Sequence, residues 1–127
     1  SLLVPAMPEQ WRANAAELRN ASNGQVTSWY IGFITPSDKF IAFNEAFNAN
    51  ETWVSNELKD YPATGTVTLD GQVWTVYDNR SMKDAGNVEY AMVTTSGRST
   101  VVLFGNADTT EFEQLATSIT ADLRSAQ

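Results

Sequence analysis

The chain has 127 residues, room for one domain spanning 1–127 and no second. Eight Lys and Arg against fifteen Asp and Glu give a formal net charge of −7 and a sequence pI near 4.3, a field that repels phosphate backbones and anionic headgroups, so nucleic acid is not an expected partner. Histidine and cysteine are both absent, which removes Ser-His-Asp and Cys-His nucleophiles, imidazole and thiolate metal sites, and disulfides.

A hydrophobic fraction of 43% with only 18% charged residues lies far from the disordered regime. A chain of this size buries enough surface for one core without metal or cross-link. No stretch approaches the ~18 to 20 apolar residues of a membrane helix. The chain starts at Ser1 and not at Met, which is compatible with a targeting segment upstream.

Residues 1–10, with Pro5 and Pro8, read as an extended lead-in. The segment 9–19 fits two periods: Trp11, Ala15 and Leu18 at helical spacing, Trp11, Ala13 and Ala15 at strand spacing, and the alanines tip the reading to helix. Residues 20–24 carry turn chemistry. A strand follows over 26–35, with Trp29, Ile31 and Phe33 on one face, and Ile41, Phe43 and Phe47 line one side of its hairpin partner over 40–47. A short helix is expected over 51–59, with Asn50 as N-cap and Val54 and Leu58 as its buried pair.

Strands at 65–69 and 72–77 flank Asp70-Gly71, a dipeptide suited to a type I′ turn. A polar connection over 78–87 leads to a second strong hairpin, 88–94 with 100–104, turning at Gly97. The chain closes on an amphipathic helix: Asp108 and Glu111 stand at capping-box spacing before the stripe Phe112, Leu115, Ala116, Ile119 and Leu123. Consecutive hairpins make antiparallel pairs, so the expected class is α+β: a single antiparallel sheet of about six strands with helices packed on it, the C-terminal one included.

Several short pieces stand in order along the chain: Pro-Glu-Gln-Trp at 8–11, Ser-Trp-Tyr-Ile-Gly-Phe-Ile-Thr-Pro at 28–36, Trp53-Val54, Thr64-Gly65-Thr66-Val67, Asp70-Gly71-Gln72-Val73-Trp74, and a closing strand over 100–105 before a Leu-Ala helix. In order and spacing they resemble the actinobacterial domain-of-unknown-function family DUF4245 over almost the whole chain. The resemblance implies an extracytoplasmic cell-envelope protein, membrane-anchored by one spanning segment upstream of this domain. It brings no reaction and no site residues. The element order also looks like the PsbP-like sandwich, an analogy of fold alone.

Asp108, Glu111 and Glu113 read as cap and first-turn charges, and Asp70 as a turn residue. The run Asp78-Asn79-Arg80-Ser81-Met82-Lys83-Asp84 lacks calcium-loop spacing, and Arg80 and Lys83 oppose a cation. Neither a catalytic residue nor a metal or cofactor site is expected. Trp29 and Trp74 read as core, whereas Trp11 and Trp53 sit at element starts as partly exposed anchors. The candidate partner-binding residues are therefore Trp11, Trp53, Asp78, Arg80 and Lys83.

The reading is a non-enzymatic module that binds another protein or an envelope component. Its alternative is a small-molecule or lipid carrier with a pocket between sheet and helices, suggested by the aromatic strands and by Met82 and Met92; such a carrier needs an apolar cavity of roughly 300 Å³ or more. A carboxylate-based hydrolase ranks last. An open sheet also has two edges through which a homodimer can form.

Overall fold

Tight turns set the register of the sheet. Asp70 and Gly71 both adopt positive φ, 49° and 84°, the mirror-image turn that matches strand twist. Gly97, at φ 58°, turns the next hairpin, and Asp38, at φ 61°, closes the loop in which the Asp38 N–H donates to the Thr35 carbonyl at 2.9 Å.

The structure is a computed structural model and describes residues 10–20 and 27–125. The lead-in expected over 1–10 and the turn expected over 20–24 fall almost wholly outside those residues. The strands are β1 (Arg12–Asn20), β2 (Thr27–Ile34), β3 (Phe40–Phe47), β4 (Gly65–Leu69), β5 (Gln72–Asp78), β6 (Tyr90–Ser96) and β7 (Ser99–Gly105). Helix α1 (Glu51–Glu57) follows β3, a 3-10 turn (Gly86–Val88) precedes β6, and α2 (Thr109–Ser125) ends the described chain. All pairs are antiparallel, in the order β1-β2-β3-β7-β6-β5-β4. The α+β class with its C-terminal helix is as expected; the sheet has seven strands, not about six.

The additional strand is β1, where a helix was the favoured reading. Trp11 lies just before it and is buried, at 7% exposure, with its ring edge-on to Phe33 at 6.3 Å. Ala15 and Leu18, the other members of the helical stripe, are exposed, Leu18 by 55%. Trp11 meets the core at the start of a strand, and pairing along β2, with a bulge between Ala13 and Ala15, satisfies the backbone of both segments. Tertiary pairing overrides alanine propensity. The same burial corrects the reading of Trp11 as a partly exposed anchor.

Helix α2 crosses one face of the sheet. Phe112, Leu115, Ala116, Ile119 and Leu123 pack on Ile31, Phe33, Ile41, Phe43, Trp74, Tyr90, Met92, Val101 and Leu103. Met92 thus belongs to this core, while Met82 is 48% exposed. Buried Trp74 donates from its indole N–H to the Thr120 hydroxyl at 3.1 Å, which itself donates to the Ala116 carbonyl at 2.9 Å, so the indole is satisfied without water. Of the two tryptophans read as core, Trp74 is fully buried and Trp29 is half-buried.

The Glu111 half of the capping box forms: its carboxylate accepts from the Asp108 N–H at 3.4 Å. The same carboxylate accepts from the Ser37 hydroxyl at 2.7 Å and the Ser37 N–H at 3.3 Å, tying the start of α2 to the β2–β3 turn. Asp108 instead pairs with Lys39 Nζ at 3.1 Å. At the end of β7, a Cβ on Gly105 collides with the Phe40 carbonyl, so only glycine allows that approach of β7 to β3.

Candidate functional site

Helix α1 lies on the opposite face, and its sequence explains how loosely it lies there. Its cap is well made, since Asn50 Oδ1 accepts from the Trp53 N–H at 2.9 Å. None of its own residues is fully buried. It is held by Leu58 just beyond its end, 1% exposed, in a small apolar cluster with Val88, Ala91, Val93 and Val102, against which Trp53, Val54, Tyr61, Tyr77 and Phe104 pack partly buried. The helix ends at Glu57 with Leu58 as its C-cap, short of the expected Lys59, because Lys59 and Asp60 take left-handed φ of 55° and 61°.

Beside α1 a solvent-open groove of about 430 Å³ runs along the sheet, lined by Asn50, Glu51, Ser55, Tyr77, Thr95 and Thr100, with Ala49 and Val54 completing it. Thr95 and Thr100 face each other across β6 and β7, their hydroxyls 3.5 Å apart. On the same face, two positions from Ala46, which pairs with Thr100, Asn44 is buried at 1% exposure, and its side-chain N–H₂ has no hydrogen-bond partner.

At the β1–β2 edge of this face, Arg19 stacks over the Tyr30 ring at 3.9 Å and bonds Glu17 at 2.6 Å. Burial pushes the Glu57 carboxyl, at the end of α1, above its usual range, with Arg19 opposing that rise. Burial likewise raises the Tyr30 phenol, again against Arg19. Gly32 keeps this corner open: a Cβ there meets Asn14 Oδ1 at 2.6 Å and Tyr30 Oη at 3.2 Å.

The polar connection after β5 is internally braced. Arg80 grips the Asp78 carboxylate through Nε at 2.9 Å and Nη2 at 2.7 Å, reaches the Thr109 hydroxyl at 3.1 Å, and stacks over the Tyr90 ring at 4.8 Å. Those bonds hold the Asp78 carboxyl below its usual range. Asn79 is buried, donating from its side chain to the Val88 carbonyl at 2.9 Å. Ser81, Met82, Lys83 and Asp84 stay exposed. The 3-10 turn approaches the end of α1, where a Cβ on Gly86 comes within 3.1 Å of Lys59 Nζ.

The five anticipated contact residues therefore do not form one cluster. Trp11 is core, Trp53 is half-buried on α1, Asp78 and Arg80 are engaged with each other, and Lys83 is exposed on the connection. In the sequence the groove residues read as a cap (Asn50), a dipole charge (Glu51), helix positions (Val54, Ser55), a turn position (Thr95) and ordinary strand positions (Tyr77, Thr100). No local pattern marks them, because strand register assembles them.

Fold and site together define a single-sheet α+β domain with a dense core under one helix and an open groove of mixed polar and apolar lining beside the other. The chain matches the family model described as "Protein of unknown function (DUF4245)" over residues 1–119, and it belongs to that family. No curated protein and no solved structure matches the chain.

Proposed function

We propose that this domain is a non-enzymatic binding module whose α1 face receives a partner. The groove carries the reading: an open concavity of about 430 Å³ is of small-ligand size, and its walls present hydroxyl, amide and carboxylate groups to solvent. The connection after β5 approaches the C-terminal end of α1, where Gly86 lies beside Lys59, and offers exposed Lys83 as a further contact. The lipid-carrier alternative asks for enclosed apolar walls, and a lining with only Ala49 and Val54 as aliphatic members supports it less.

The envelope location, with a membrane anchor upstream and the domain outside the cytoplasm, is proposed on the resemblance drawn from the sequence motifs. A homodimer formed through the exposed edge strand β1 is compatible with the same arrangement.

Photo-crosslinking in the full-length protein tests the α1 face. A photoreactive residue at Ser55 or Lys83 is expected to capture a common partner that the same probe at Thr117, exposed on α2, does not. Equal capture from Thr117, or none from Ser55, overturns the reading. Substrate turnover by the purified domain overturns the non-enzymatic part.

A further inference from the structure

The lining of the groove narrows the chemistry of what it takes. Ser55, Thr95, Thr100 and Tyr77 contribute four hydroxyls, each able to donate and to accept. The 3.5 Å separation of the Thr95 and Thr100 hydroxyls is at the outer limit of a hydrogen bond, so each retains capacity for a better partner. Asn50 spends its Oδ1 on the Trp53 N–H, leaving its N–H₂ to donate. Tyr77 adds an aromatic ring to the wall, and Glu51 adds a carboxylate that accepts.

Other ligand classes fit poorly. Among the described residues no Lys or Arg lines the groove, so an anion there meets Glu51 and a net charge of −7. An acyl chain leaves the wall hydroxyls desolvated and unpaired, a net penalty for each group it covers. A neutral ligand rich in hydroxyls satisfies donors and acceptors together and lays its C–H surface on an aromatic ring.

We infer that the groove between α1 and strands β5, β6 and β7 binds a neutral polyhydroxylated ligand, a carbohydrate, through Asn50, Ser55, Tyr77, Thr95 and Thr100. The inference rests on the α1 face being the binding face.

The test is an NMR titration of the isotope-labelled chain with glucose, galactose, mannose, maltose and cellobiose, with inorganic phosphate and octanoate as anionic and apolar controls. At least one neutral sugar is expected to saturate at millimolar concentration, with shifts confined to residues 49–55, 77 and 95–100. Thr95→Val and Ser55→Ala are each expected to weaken that binding at least fivefold while leaving the unfolding temperature unchanged. Saturable shifts absent for all five sugars, shifts mapping to α2, or binding indifferent to both variants overturns the inference. Failure of every sugar while crosslinking from Ser55 persists discards the carbohydrate alone; loss of both discards the α1 face as well.

Discussion

The two faces of the sheet are built from neighbouring residues of the same strands, yet they differ in kind. Under α2, sixteen buried hydrophobic residues form one cluster around Trp74, Phe43 and Phe112; the Trp74 indole is hydrogen-bonded, while the Trp11 indole N–H at the cluster's edge has no partner. Under α1 the buried cluster has five members, the helix buries none of its own residues, and Asn44 holds an unpaired amide. Alternation along β3 and β7 makes the split: Ile41 and Phe43 face α2 while Ala42, Asn44 and Ala46 face away, and Val101 and Leu103 oppose Val102 and Phe104. Apolar burial is concentrated on one side, though that side also encloses Glu45, Thr94 and Thr120, and the smaller cluster leaves the α1 side less constrained by packing.

The comparison breaks first at the centre of the α2 face. Trp74→Ala is expected to destabilise the domain by about 3 to 5 kcal/mol, the cost of a large unrefilled core cavity. Denaturant unfolding measures it, and a loss below about 1 kcal/mol contradicts the assignment of the main core. Leu58→Ala, the corresponding truncation under α1, is expected to cost about 2 kcal/mol, near the low end for a buried leucine, because its cluster is small and borders solvent. It should also loosen α1, so amide exchange should accelerate over residues 51–58 and stay unchanged along α2.

How much of this was legible in the sequence follows from what is local. Asp70-Gly71 announces its hairpin because the turn itself requires positive φ there, and the stripe from Phe112 to Leu123 announces α2 because a helix repeats its contacts every turn. The identity of β1 is not local. Its alanines favour helix, and only the free edge of β2 makes the strand better. Trp11 misled for a related reason: polar neighbours in sequence say little about a side chain that packs on Phe33 of the next strand. The groove was invisible because Tyr77, Thr95 and Thr100 meet Asn50 and Ser55 only after α1, β5, β6 and β7 are in register.

Smaller effects sharpen the contrast. Glu111→Ala removes an acceptor that serves the Asp108 N–H and the Ser37 hydroxyl together, and should cost about 1 kcal/mol, typical of a lost cap. Asn44→Val should do the reverse. It removes a buried donor that has no partner, so stability is expected to hold or to rise by up to about 1 kcal/mol. A loss of more than about 1 kcal/mol on that substitution means that the amide is satisfied in solution, and that this face is closer to a conventional core than its geometry indicates.

The smallest expected effect concerns charge, and its sign is specific to the α1 face. Burial raises the Glu57 carboxyl above its unfolded value of 4.5, so the folded chain binds a proton more readily than the unfolded one. The group's favourable contribution is thus complete below pH 4.5 and is lost as pH rises through the folded value. Glu57→Gln removes the titration, so variant and wild type should match most closely in acid, and the variant should gain in unfolding temperature relative to wild type as pH rises towards neutral. Arg19 opposes the shift and part of the side chain meets solvent, which keeps the difference small. Asp78 supplies the opposite case: its carboxyl is depressed by Arg80, so its contribution is present above the unfolded value of 3.8 and disappears on further acidification. Paired pH series on Glu57→Gln and Asp78→Asn should therefore diverge in opposite directions, and series that run parallel would place both carboxylates in equivalent, solvated surroundings.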